Sequence, residues 1–242
     1  MVDFTAKTVR EILVESPVTT EIFEEFKIDY YCGGSRLLAE ACQAAGVEQQ
    51  KVTAKIEEAM GKSETTADFP SQKNASDLID HIVDNHHSFA RQEIVRLSTL
   101  MEKVCHKHLE QHSELRHLQQ AFATLSNDLV SHLKKEETVL FPYIKVLEKA
   151  RIEGLRSAAA PFGSVNDPAR MLRWEHEETR NIMRKMRKIS AEYALPYDAS
   201  PGFQELYVGL QELERDMHLH IHLENNILFP LAVEMESVTA LR

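Results

Sequence analysis

Histidine and glutamate recur in this chain at one spacing, twice. His132 and Glu136 are followed by Leu140–Phe141–Pro142, and His220 and Glu224 by Leu228–Phe229–Pro230, so both segments read H-x3-E-x3-L-F-P. A helix turns once in about 3.6 residues, so a His and a Glu four apart lie on one face, one turn above the other. Imidazole nitrogen and carboxylate oxygen are both metal ligands. Each copy therefore offers one of each to a single point, and two copies suit a two-metal site inside a helical bundle.

The repeat extends upstream. His87 precedes His132 by 45 residues and His176 precedes His220 by 44. Each half is then one helix with a single histidine, a connection, and a second helix with His-x3-Glu. With 12 His and 38 acidic residues, one such pair arises easily by chance; two with the same tail and similar upstream histidines do not. His87 is chosen over His86 because it lies on the stripe of Val83, Ala90, Ile94, Leu97, Met101 and Val104. His86 shares its face with Glu93 and Arg96 and is expected at the surface. His176 lies inward with Leu172 and Met183, and His220 and Glu224 lie inward with Met217 and Ile227–Leu228, which turns His218 and His222 outward. His106, His108, His112 and His117 are expected to be mostly exposed, and Arg180 to Lys188 to form a solvated face. Leu140–Phe141 and Leu228–Phe229 are core.

Candidate metal ligands are thus His87, His132, Glu136, His176, His220 and Glu224. Burying two carboxylates without a cation is costly. Four His and two Glu divide into two His per metal with Glu136 and Glu224 bridging, leaving positions open for redox chemistry. Structural zinc favours closed, Cys-rich tetrahedra. Two Fe ions, bridged also by an oxo or hydroxo group, are the expected cofactor; zinc and manganese are the alternatives.

The elements that must position these residues are helical. The chain of 242 residues is 43% hydrophobic with eight Gly and eight Pro, and no alternating strand stands out. No apolar run approaches the roughly 20 residues that span a bilayer, and no signal peptide is evident. Cys32, Cys42 and Cys105 suit a reducing cytosol, so the expected location is cytoplasmic. A net charge of −10 argues against nucleic acid as a partner.

The fold class expected is all-α. A small helical amino-terminal module (1–61) precedes a linker (62–73) and an up-down four-helix bundle (74–242) with an internal two-fold pseudo-repeat. In the module, Thr19 and Thr20 cap a helix through Ile22, Phe23 and Phe26. Ser35 caps Arg36 to Ala45, ending at Gly46, and a third helix runs from Gln50 to Met60, ending at Gly61. The bundle helices cover Ser76 to His108, Ser113 to Lys149 with a bend near Pro142, Pro168 to Tyr193 behind an Asp167 cap, and Phe203 to Glu234. Gly154 to Asp167 is the crossing loop, and Leu195 to Gly202 a second loop.

At these residues the chain resembles the iron–sulfur cluster repair di-iron proteins (the RIC family), whose carboxyl-terminal part is a hemerythrin-like bundle. The resemblance covers nearly the whole chain: Leu78–Ile79–Asp80–His81 leading to His87, Ser131–His132 with Glu136–Glu137, Glu175–His176–Glu177, and His220 through Glu224–Asn225–Asn226 to Pro230. It implies the same six ligands. The ordinary hemerythrin pattern would have a His at position 180 and an Asp at 225, where Arg180 and Asn225 stand. The amino-terminal module resembles a short domain carrying a Cys-Cys-Gly-Gly turn, here Tyr31–Cys32–Gly33–Gly34. One thiol of that pair is absent; Cys32 retains a possible reactive role if a helix N-terminus lowers its pKa.

The resemblance implies repair of iron–sulfur clusters damaged by oxidative or nitrosative stress, by iron donation, with damaged iron–sulfur proteins as partners and no membrane. The alternatives are an enzyme, a di-iron nitric oxide or peroxide reductase, and an oxygen or nitric oxide binding sensor. A homodimer is a further expectation.

Overall fold

The computed structural model describes Phe4 and residues 6–62, 74–157, 160 and 162–240. Those residues are helices and turns, with only two isolated bridges, Thr8–Leu37 and Ala160–Gly163. No helix among them is long and apolar enough to cross a membrane. The expected linker at 62–73 lies, but for its first residue, outside the described residues, as do 158, 159 and 161 of the crossing loop.

Four short helices build the amino-terminal part: α1 (Val9–Glu15), α2 (Thr19–Glu25), α3 (Leu38–Ala45) and α4 (Gln49–Lys62). α1 had no counterpart in the sequence reading. It starts on a reciprocal cap, in which Glu11 N–H donates to Thr8 Oγ1 (3.2 Å) and Thr8 N–H to Glu11 Oε2 (2.7 Å). Thr19 and Thr20 do not cap α2. They lie in its first turn, their hydroxyls donating back to Ser16 O and Pro17 O. α3 starts at Leu38 rather than after Ser35, because Glu40 accepts from Leu37 N–H and fixes the start there. Gly46 ends it in the left-handed conformation (φ 71°). α4 runs through Gly61, which alone does not stop a helix.

The long helices are α5 (Ala75–His81) and α6 (Ser88–His108), α7 (Glu114–Lys135) and α8 (Phe141–Glu153), α9 (Asn166–Ile189), and α10 (Pro201–Leu223) and α11 (Phe229–Ala240). α5 and α6 are joined without a break by a π turn (Ile82–His87), α7 and α8 by another (Glu136–Leu140), and α10 and α11 by a third (Glu224–Leu228). α6 packs along α10, α7 along α9, and α8 against α5 and α11. α9 begins at Asn166 with Val165 at the cap position, two residues earlier than the expected start at Pro168 behind Asp167. Asp167 pairs with Arg170 instead, and Glu236 from α11 accepts from Val165 N–H (2.8 Å).

Two of the three π turns, Glu136–Leu140 and Glu224–Leu228, have a local cause in the repeat. Pro142 and Pro230 carry no N–H, and their rings crowd the carbonyl four residues back. The helix widens just before each: Phe141 N–H donates to Glu136 O and Phe229 N–H to Glu224 O, five residues back. The predicted bend at Pro142 is thus this widened turn.

The core falls into two apolar clusters. One joins the amino-terminal helices to the Ala90–Val104, Leu115–Leu133 and Phe203–Ile221 faces. The other gathers Leu78, Ile82, Leu140, Phe141, Leu228 and Phe229, so both Leu-Phe pairs are core as expected. Between them the sequence leaves a polar layer.

Candidate metal centre

That layer holds all six residues singled out by spacing. His87, Glu136, His220 and Glu224 bring ligand atoms within 4.8 Å of one another, and so do His132, Glu136, His176 and Glu224. Each glutamate belongs to both groups. The Nε2 atoms pair across the helices, His87 to His220 at 3.2 Å and His132 to His176 at 3.0 Å. Glu136 spans the pairs, Oε2 at 3.5 Å from His87 Nε2 and Oε1 at 3.3 Å from His132 Nε2. Glu224 spans them from the other side, Oε1 at 2.9 Å from His220 and Oε2 at 3.1 Å from His176.

These distances fit cations. Two imidazole nitrogens each about 2.0–2.1 Å from one ion, at right angles, stand roughly 3.0 Å apart. Among the described residues, both oxygens of Glu136 and Oε2 of Glu224 are buried without a hydrogen-bond partner. Both glutamates are fully buried. Two carboxylates in an apolar bundle need positive charge, and among the described residues neither Glu136 nor Glu224 pairs with a Lys or Arg; both meet only histidines.

The rings are aimed from behind. His87 Nδ1–H donates to Glu137 (2.7 Å), itself held by Arg91 (2.6 Å). His132 Nδ1–H donates to Glu175 (2.9 Å), which also pairs with Lys135. His176 Nδ1–H donates to Asn225 Oδ1 (2.9 Å). Donating from Nδ1 leaves Nε2 with a free lone pair, the arrangement usual for metal-binding histidines. Among the described residues His220 Nδ1 has no hydrogen-bond partner, and His86 stacks on the His220 ring at 5.8 Å.

Charge follows the same plan. Burial disfavours protonated His132, but Glu136 and Glu175 outweigh it and raise its pKa to about 10. Burial likewise opposes ionised Glu224, yet His220, His176 and His87 hold it well below the carboxylate range. The hydrogen bond from His132, against burial and helped by Lys135, keeps Glu175 at about 2. Protons and metal therefore compete for one set of atoms.

Four expectations fail here. His86, His218 and His222 are buried rather than exposed. His86 Nδ1 meets Asp216 (2.8 Å), His218 Nδ1 meets Glu24 of α2 (2.7 Å), and His222 meets Asn226 (3.0 Å). The amino-terminal part lies on α10, with the Tyr31 ring stacked 3.9 Å from that of His218 and Tyr30 edge-on to His222. From Met217 to Glu224 only Leu219 escapes full burial. In the turn region His108 is buried against Ser200 (2.8 Å) and His112 is half-buried between Glu114 and Asp198; His106 and His117 are exposed as expected. The Arg180–Lys188 face is not wholly solvated either: Arg180 pairs with Asp29 (2.9 Å) and Arg187 with Glu214 (2.7 Å).

Cys32 is the fourth. It lies in a turn whose Cys32 and Gly33 N–H groups both donate to Asp29, well before α3. Burial, reinforced by Asp29, pushes its thiol up to about 12, which opposes the expected activation.

Sequence reasoning gave no role to one residue that supports the candidate site. Asn225 accepts from His176 and donates Nδ2–H to Tyr31 O (3.2 Å), so one amide ties a candidate ligand to the amino-terminal turn. Asn226 beside it donates to Tyr30 O (3.0 Å). The signal was present in the sequence: Arg180 and Asn225 stand where the hemerythrin pattern has ligands, and both reach the amino-terminal turn instead.

Comparison with known proteins agrees with this geometry. Residues 78–232 match the hemerythrin HHE cation binding domain, and residues 5–60 match ScdA_N, a domain of unknown function. A probable iron–sulfur cluster repair protein of Haemophilus influenzae is 30% identical over 94% of this chain and 96% of its own length. The iron–sulfur cluster repair protein YtfE of Musicola paradisiaca is 30% identical over 96% of this chain and 98% of its own, and that of Salmonella paratyphi B 28% identical over 93% and 96%. With its two matched domains and its full-length relatives, the chain belongs to the hemerythrin-like family of iron–sulfur cluster repair proteins.

Proposed function

We propose that the chain holds two iron ions and donates iron to damaged iron–sulfur clusters. One ion is bound by His87 and His220, the other by His132 and His176, with Glu136 and Glu224 shared between them. The observation that carries this reading is the pair of shared, buried carboxylates, with oxygens lacking hydrogen-bond partners, set between two imidazole pairs. The relatives' role in cluster repair supplies the client class, iron–sulfur proteins.

When bound, iron supplies redox chemistry and a releasable cargo. The protein's own groups hold that cargo with few and unequal supports. Each pair has one histidine backed by a carboxylate (Glu137 or Glu175) and one without such backing, His220 or His176. Protonating a shared glutamate weakens both positions at once, which gives a release route.

The test is repair of a cluster enzyme damaged by nitric oxide. The iron-loaded protein is expected to restore more activity than the same amount of free ferrous iron, and to lose iron stoichiometrically as it does so. Equal restoration by free iron defeats donation. Steady turnover of nitric oxide without iron loss would assign a reductase instead.

A further inference from the structure

A cavity of about 320 Å³ lies where α1 and the Cys32 turn meet α9. Arg10 of α1 and Arg173 of α9 both line it, together with Cys32, Ser35, Asn225 and Asn226. Glu177 is its one lining carboxylate and is exposed. Among the described residues, neither Arg10 nor Arg173 has a carboxylate within 4.0 Å, although the chain carries ten more acidic than basic side chains. Arg91, Arg96, Arg180 and Arg187, by contrast, each have an acidic partner. Arg173 lies 5.5 Å over the Phe229 ring, which fixes its guanidinium in place without neutralising it.

Two half-buried guanidinium groups brought together without a counterion repel each other and lose hydration. Burial, and then Arg10, push Arg173 below its usual range. A fold leaves such a pair where an anion joins it, because the planar fork of donors matches an oxyanion's geometry. The volume is at the small end of ligand pockets, roughly 300–1,000 Å³. It suits a small molecule rather than a polymer.

We infer that this cavity binds a small oxyanion-bearing ligand, a sulfate-type or dicarboxylate anion, through Arg10 and Arg173, with the Ser35 hydroxyl available as a further donor. The site is independent of the metal reading. It adjoins the Tyr31–Asn225–His176 chain of hydrogen bonds, so its occupant borders the link between the amino-terminal turn and the metal centre.

The experiment is calorimetric titration of the full chain, as purified, with succinate and separately with sulfate, at low and moderate ionic strength. Both anions bind iron weakly, so stripping does not confuse the heats. One saturable site is expected, weakened at least tenfold in Arg10→Gln and in Arg173→Gln, less in Arg173→Lys, and unchanged in Arg116→Gln on α7. Binding of both anions assigns a general oxyanion site; binding of succinate alone assigns a dicarboxylate site. Melting curves and metal content check that the variants are folded, and Arg173→Lys keeps the test open should a Gln variant unfold. No saturable heat from either anion overturns the inference, as does binding that both Gln variants leave intact.

Discussion

Replacing Asn225 separates two jobs that one amide performs. In Asn225→Ala, His176 loses the acceptor of its Nδ1–H and Tyr31 O loses a donor. Removing such a supporting partner typically costs 10–100-fold in metal affinity, or about 1.4–2.7 kcal/mol. The loss should fall on one ion, because His176 belongs to the group with His132 and not to that with His87 and His220. The lost bond to Tyr31 adds about 0.5–1.5 kcal/mol of destabilisation. Asn225→Asp distinguishes the two roles. Its carboxylate still accepts from His176, so affinity stays within a few-fold of the parent. Its other oxygen now faces Tyr31 O and loosens the amino-terminal turn. The assay is chelator competition followed by metal analysis, with hydrogen exchange at residues 30–34 as the second readout. Two-phase metal loss in Asn225→Ala, and protected metal with faster exchange in Asn225→Asp, are the expected results. Equal loss of both ions in Asn225→Ala, or none, would refute the assignment of His176 to one ion.

Gly34→Ala should undock the amino-terminal turn. A Cβ there would stand 2.5 Å from Asn226 Oδ1 and 2.8 Å from its Cγ, and Asn226 is pinned by Tyr30 O. Overpacking of this kind costs about 1–3 kcal/mol, which at roughly 2–4 °C per kcal/mol for a chain of this size lowers Tm by about 2–12 °C. Gly61→Ala, with open space around it in α4, should leave Tm unchanged or slightly raised; equal behaviour of the two variants would contradict the packing described. His222→Ala removes a fully buried ring outside both four-residue groups, so calorimetry should show a loss of about 1–3 kcal/mol while metal analysis shows full occupancy. His112 gives a pH signature. Burial lowers its pKa, but Asp198 and Glu114 outweigh that and raise it above the ordinary value. Its stabilising pairing is therefore complete below the unfolded value, about 6.5, and fades as pH rises through the higher folded value. Urea midpoints across pH 5–9 should show that decline in the parent and less of it in His112→Gln.

The convergence of the six side chains was legible because its information is local and doubled. His132 and Glu136, like His220 and Glu224, reach one point through the helical repeat alone, and the Leu-Phe-Pro tail marks both copies as one unit. The structure places His87 rather than His86 in a four-residue group, since the apolar stripe from Ala90 to Val104 fixes which side of α6 faces inward. What periodicity could not show was a second covered face. It assumes one apolar side and one wet side, yet α10 packs on the bundle with one and receives Tyr30, Tyr31 and Glu24 on another. His218 and His222 are buried for that reason. Cap residues failed for a related cause. Thr19, Ser35 and Asp167 all have the right chemistry, but the local pairing of Glu40 with Leu37 sets the start of α3, and the distant Glu236 that of α9. Contacts between residues far apart in sequence leave no trace in spacing. Asn225 stood out as a departure from the hemerythrin ligand pattern, but its role required the position of Tyr31.

Metal content tests the central claim most directly. Protein purified from cells without added metal should carry close to two iron atoms per chain, and Glu136→Ala or Glu224→Ala should lose most of both while remaining folded. A parent protein that is folded, metal-free and unable to take up two equivalents of ferrous iron would contradict the account. So would glutamate variants that retain the full complement.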